Sequence, residues 1–103
     1  MVCNKYIAKI KKYINDDIYI VFFMDRSRCF YSRSAINLLK DRGLSYKGYE
    51  IDRKNDKLPE LLECLRNNED DIEFNEYHRT LPIIYHKGIF IGGFTDLQKR
   101  LDN

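Results

Sequence analysis

Between residues 3 and 15, apolar side chains recur at Ile7, Ile10 and Ile14, while Lys5, Lys9, Lys11 and Lys12 fall largely off that stripe. Steps of three and four are the period of a helix with one buried face. Asn15-Asp16-Asp17 punctuates its end, and Ile18-Tyr19-Ile20-Val21-Phe22-Phe23 follows as a continuous apolar run. Such a run, rich in β-branched and aromatic residues, predicts a strand buried on both faces. Asp25 to Arg28 is a polar turn. From Phe30 to Arg42 the helical period returns, with Ala35, Leu38 and Leu39 at core spacing and Gly43 where a left-handed C-terminal cap belongs.

Leu44 to Ile51 alternates enough for a second strand and leads into the charged loop Asp52–Lys57. Leu58 to Leu65 predicts a third helix, entered through Pro59 in its first turn. Residues 66–78, with Asn67-Asn68-Glu69-Asp70-Asp71, are the least regular stretch. Leu81–Tyr85 and Ile89–Ile91 flank Lys87-Gly88, the signal of a tight hairpin. Gly92-Gly93 breaks the second of these strands, and Thr95 or Asp96 can cap a last helix ending near Leu101. The order αβαβαββα, a βαβ half followed by a ββα half, predicts an α/β fold: one domain over residues 1–103, with a four-stranded mixed sheet flanked by helices.

Composition narrows the function classes. A chain of 103 residues, 44% hydrophobic and 33% charged, has material for one small domain with a modest core. The longest apolar run, Ile18 to Met24, is too short to cross a bilayer, and no secretory signal precedes it. A formal charge of +2 gives no argument for nucleic acid. The expectation is a monomer acting on neither membranes nor nucleic acids. Cys3, Cys29 and Cys64 are odd in number and widely spaced, unlike a disulfide framework or a zinc site. Free thiols in a reducing compartment, and so a cytoplasmic location, are expected. Cys64, among Leu61, Leu62 and Leu65, reads as a packed side chain, and Cys3 as an accessible one. His78 and His86 have no ligand-like spacing and read as a loop and a strand residue; no metal site is expected.

Cys29 differs from the other two. It ends the strand–turn segment and begins a helix, where unpaired backbone N–H groups and the positive end of the helix dipole favour an anion. Arg26, Arg28 and Arg33 lie close in sequence and favour the thiolate, against the single carboxylate of Asp25. Sites of this kind bring a cysteine from about 8.5 to roughly 3.5–7.5. In Cys29-Phe30-Tyr31-Ser32 the position three after the thiol holds Ser32, which cannot close an internal disulfide. Any oxidised Cys29 must be resolved by an outside thiol.

A second constellation lies far away in sequence: Arg79-Thr80-Leu81-Pro82 and Gly92-Gly93-Phe94-Thr95-Asp96. Pro82 opens a strand after a short polar loop and is a candidate for a cis bond that leaves backbone groups exposed. An extended peptide-like ligand could pair there by strand addition. Gly92-Gly93 permits close approach, and a helix start at Thr95-Asp96 offers N–H groups to a carboxylate and an Asp carboxylate to an ammonium. Alone, Gly-Gly-x-Thr-Asp reads first as a turn with a helix cap.

Taken together, these segments resemble the glutaredoxin family over nearly the whole chain. The likeness rests on Val21–Cys29, Cys29-Phe30-Tyr31-Ser32, the helix through Ala35, Leu38, Leu39 and Gly43, and Tyr49-Glu50-Ile51-Asp52. It is most specific in Arg79-Thr80-Leu81-Pro82 through Gly88 and in Ile91-Gly92-Gly93-Phe94-Thr95-Asp96-Leu97. The resemblance implies a thioredoxin fold and glutathione as cosubstrate. It puts Cys29 at the nucleophile and Tyr31 on the wall of the glutathione groove. Arg26 takes a basic position that contacts the glycine carboxylate. Thr80, Leu81 and Pro82 fall on the cis-proline loop that pairs with the cysteinyl unit, and Gly93, Phe94, Thr95 and Asp96 on the loop that holds the γ-glutamyl end.

Three positions depart from the common Cys-Pro-Tyr-Cys pattern of that family: Phe30 for proline, Ser32 for the second cysteine, and Phe94 where many relatives carry cysteine. The Cys-Gly-Phe-Ser branch with its Trp-Pro motif fits less well, since this chain has no tryptophan. The implied activity is a monothiol, glutathione-dependent reduction of glutathionylated proteins or low-molecular-weight disulfides. Two alternatives stay open at this point: a carrier bridging a [2Fe-2S] cluster between two chains through Cys29 and glutathione, and a non-catalytic thioredoxin-fold adaptor.

Overall fold

The structure, a computed structural model, describes residues 4–23, 29–51, 57–68, 72–75 and 77–102. Its elements are α1 (Asn4–Lys12), β1 (Tyr19–Phe23), α2 (Phe30–Asp41), β2 (Tyr46–Glu50), α3 (Lys57–Asn67), β3 (Ile83–His86), β4 (Ile89–Gly92) and α4 (Phe94–Asp102). They follow the predicted αβαβαββα order. The strands form one sheet in the order β2-β1-β3-β4, with β1 parallel to β2 and antiparallel to β3, and β3 antiparallel to β4.

The central place of β1 explains its unbroken apolarity. Ile20 and Phe22 face a core completed by Tyr6, Ile7 and Ile10 of α1, Leu61 and Leu65 of α3, and Ile83 and Tyr85 of β3. Tyr19 and Val21 point the other way, onto Ala35, Ile36 and Leu39 of α2, Ile84 of β3 and Leu97 of α4. These four of the five β1 residues are buried, so both sheet faces are covered by a helical pair. Tyr85 is fully buried and its hydroxyl donates to the Glu73 carbonyl at 2.6 Å. That burial raises its pKa well above the ordinary phenol value.

Several boundaries differ from the sequence expectation. Helix α1 stops at Lys12, and Ile14 N–H bonds back three residues to Lys11 at 3.2 Å, the tightened geometry of an unwinding end. Ile14 therefore leaves the Ile7–Ile10 stripe and is 45% exposed. α2 closes as expected: Gly43 has φ 67°, its N–H bonds Lys40 O at 3.0 Å, and Leu44 N–H bonds Leu39 O at 2.9 Å. Those two bonds are a Schellman closure, which takes Leu44 out of the following strand. Strand β3 begins at Ile83 instead of Leu81, since Pro82 has no N–H to give to a ladder; the Leu81–Pro82 bond is cis. Lys87 and Gly88, with φ of 54° and 79°, make the expected hairpin turn between β3 and β4.

One expectation is overturned. Cys64 is not a free thiol: it is disulfide-bonded, and its side chain lies in the α1–α3 core at 3% exposure. A buried helix position suits a bonded sulfur as well as a packed thiol, and residue spacing alone does not separate the two. Cys3, Asp25, Arg26, Arg28 and residues 52–56 lie outside the described residues. Cys29 is free.

Candidate active site

The sheet register assembles the site. Phe22 pairs with Ile83, so the end of β1, from which the chain runs on to Cys29, adjoins the start of β3 and the Leu81–Pro82 turn. Ile84 pairs with Gly92, which brings the end of β4 to the same edge. A Cβ on Gly93 would lie 3.7 Å from the Pro82 carbonyl oxygen, so these two turns are neighbours. Helices α2 and α4 both begin at this end and pack through one core, leaving two N-termini beside the site. The distant Thr80–Pro82 and Gly92–Asp96 segments are thereby neighbours.

Cys29 is the N-cap of α2. Its backbone is extended (φ −122°, ψ 106°), its carbonyl accepts the first helical bond from Arg33 N–H at 3.1 Å, and its sulfur accepts from Ser32 N–H at 3.5 Å. The sulfur occupies the place of a capping oxygen, which is where a negative charge is best received. Ser32 is fully buried, whereas Phe30 and Tyr31 are 62% and 58% exposed. Their rings meet edge to face, with centroids 5.5 Å apart, and present an aromatic rim beside the half-buried sulfur. Arg33 is exposed on the first turn. Of the three arginines predicted around Cys29 it alone lies within the described residues.

At the other helix start, Leu97 N–H bonds Gly93 O at 3.0 Å, so Gly93 is the N-cap and Phe94 the first helical residue. The predicted caps Thr95 and Asp96 thus sit inside the first turn. Asp96 reaches back to accept from Gly93 N–H at 3.0 Å, the returning half of a capping box. Thr95 and Asp96 are exposed, Gly93 and Phe94 half-buried. Thr80 is exposed while Leu81 and Pro82 are buried, so the turn offers one polar side chain to solvent. Tyr31, Thr80, Leu81, Pro82, Gly93, Phe94, Thr95 and Asp96 are therefore gathered at the Cys29 end of the sheet.

His78 was legible only as a loop residue. Its imidazole Nε2 stands 3.3 Å from the Pro82 carbonyl and its ring packs edge to face on Phe90, centroids 5.4 Å apart. A polar residue four positions from a proline was the sole signal. His86 lies at the opposite end of the sheet, where it donates from Nε2 to Asp17 at 2.6 Å and accepts at Nδ1 from Arg100 at 3.4 Å. A cleft of about 380 Å³ between α1 and the outer strand β2 is lined by Lys5, Tyr6, Lys9, Gly48, Tyr49, Glu50 and Ile51, and includes none of the residues around Cys29. Among the described residues no group of His, Cys, Asp and Glu is placed to hold a metal ion.

No protein-family model matches this chain. A probable glutaredoxin of Acanthamoeba polyphaga mimivirus is 39% identical over 84 residues, 82% of this chain and 77% of that protein. Among solved structures, glutaredoxin 1 of Francisella tularensis, complexed with cacodylate, superposes with a TM-score of 0.68 at 20% identity, over 82% of this chain and 92% of that one. A buckwheat glutaredoxin–glutathione complex superposes with a TM-score of 0.65 at 22% identity, over 97% and 83% of the two chains. The structural likeness supplies the fold, thioredoxin-like with a four-stranded mixed sheet, and the sequence likeness supplies the kinship. This chain belongs to the glutaredoxin family, whose members are glutathione-dependent thiol oxidoreductases.

Proposed function

We propose that this protein reduces glutathione mixed disulfides by a monothiol route through Cys29. The sulfur of Cys29, as thiolate, attacks the glutathione sulfur of the substrate disulfide. That S–S bond breaks, the substrate sulfur leaves and takes up a proton, and Cys29 carries glutathione in a new disulfide. A second glutathione thiolate then attacks the bound glutathione sulfur, releasing oxidised glutathione and regenerating the Cys29 thiolate. Each cycle consumes one mixed disulfide and one glutathione thiol and releases one substrate thiol and one oxidised glutathione, and no second protein thiol takes part.

The observation that carries this reading is the N-cap position of the free Cys29, with Ser32 N–H on its sulfur. Backbone donors aimed at the sulfur stabilise it both as attacking thiolate and as leaving group. Ser32 offers no sulfur at the position where a dithiol relative closes its own disulfide. The adjoining turns would serve a tripeptide: the Thr80–Leu81 backbone would pair with its cysteinyl unit, and Gly93 to Asp96 would hold the γ-glutamyl end. Tyr31 would wall the groove and Arg26 would meet the glycine carboxylate. A glutathione complex in the buckwheat relative supports the same ligand here.

The test is exchange with a glutathionylated peptide, coupled to excess glutathione and a reductase. Wild type is expected to turn over, Cys29→Ser to fall to background, and Ser32→Ala to keep activity within about threefold, a loss of under about 0.7 kcal/mol in transition-state stabilisation. An inactive wild type or an active Cys29→Ser overturns the reading. A Ser32→Ala variant that loses its activity overturns the monothiol route as written.

A further inference from the structure

His78 stands outside every motif that identifies the family, yet it bonds one turn of the site and stands beside the other. Its Nε2 lies 3.3 Å from the Pro82 carbonyl oxygen. Its Cε1 lies 3.5 Å from the ideal Cβ position on Gly93, and the Pro82 oxygen is 3.7 Å from that same point. A carbonyl only accepts, so Nε2 carries the proton and donates. The ring is also held from behind. It packs edge to face on Phe90, and Phe90 packs in turn against Phe74 and Tyr85 at centroid separations of 5.2 Å and 5.5 Å. Tyr85 is fully buried, so this aromatic stack ties the imidazole to the core.

We propose that His78 is a positioning residue for the glutathionyl group: it clamps the cis-proline turn to the Gly92–Gly93 turn and so sets the width of the groove between them. The inference rests on the glutathione reading above. Pro82 O is one residue beyond Leu81, whose backbone would pair with the cysteinyl unit, and Gly93 opens the segment that would hold the γ-glutamyl end. One donor that bonds the first turn and stands beside the second couples the two halves of the ligand site. It reaches neither Cys29 nor the reacting sulfur, so its effect falls on substrate binding and not on the chemical step.

The test compares His78→Met with His78→Gln, side chains of similar length of which only glutamine can donate to Pro82 O. With a glutathionylated peptide as substrate, His78→Met is expected to raise KM about tenfold, equivalent to about 1.4 kcal/mol, with kcat within about twofold. His78→Gln is expected to stay within about threefold of wild type in KM. Equal KM increases in both variants, or none in His78→Met, overturn the clamp while leaving the functional reading intact. A fall in kcat at unchanged KM does the same. If His78→Met melts below the assay temperature, His78→Gln decides alone: a wild-type KM supports the clamp and a tenfold rise overturns it. A wild type without glutathione-dependent turnover overturns the functional reading and the clamp together.

Discussion

Gly92 has φ 118°, a region that residues with a Cβ rarely enter, and a Cβ there would run into the Asp96 carboxylate. Both effects act on the turn that leads into α4. Gly92→Ala is expected to cost at least about 1–3 kcal/mol, read as a lower urea midpoint at unchanged slope. Residues of this kind were visible in the sequence as a Gly-Gly pair, but its division of labour was not. Gly92 supplies the left-handed backbone, whereas Gly93 is the helix N-cap and an added Cβ there would meet only ordinary contacts. Cys29 and Ser32 were equally legible as a one-thiol motif. The full burial of Ser32 beside two exposed aromatic rings depends on how α2 lies on the sheet.

Elements end where local hydrogen bonds are better spent elsewhere. The α2 stop at Gly43 was readable because a left-handed closure has a residue signature. The early end of α1 was not, because nothing in Tyr13-Ile14 forbids another helical turn; the chain must instead reach β1. Asp17, in that connection, accepts from His86, and this hydrogen bond, helped by the charges of His86 and Lys87, holds its carboxyl below the usual range against a smaller opposing effect of burial. A carboxyl whose pKa is lowered by folding contributes stability above its unfolded value, near 3.8, and loses it as pH falls through the folded value. Asp17→Asn is therefore expected to melt lower than wild type at pH 7, with the gap unchanged to about pH 5 and closing below about pH 4. Thermal melts followed by circular dichroism across that range check the sign. A gap that widens in acid would contradict it.

For the whole molecule, burial is decided by which helix face meets the sheet. Ile10 and Ile14 are one turn apart and share a stripe in the sequence, yet Ile10 is 1% exposed in the α1–α3 core and Ile14 is 45% exposed. Ile10→Ala is expected to cost about 2–5 kcal/mol, a large share of the stability of a small domain. Ile14→Ala should cost about 1 kcal/mol or less. Chemical denaturation of the two variants side by side measures the difference. The same global packing holds Cys64 as a bonded sulfur inside that core. Tyr49 packs beside Phe22, with ring centroids 5.9 Å apart.

The sequence by itself determined what depends on local chemistry and period. This covers the element order, the central buried strand, the lone thiol at a helix start, the cap at Gly43 and the turn at Lys87-Gly88. These signals lie within a few residues of one another, where spacing and residue type suffice. Only the tertiary structure decided what depends on register. Pairing Phe22 with Ile83 and Ile84 with Gly92 brings Cys29, the cis-proline turn and the Gly-Gly turn to one edge. That edge is also where His78, an unremarked loop residue in the sequence, reaches across two of the three segments, because long-range strand pairing creates contacts that no local pattern encodes.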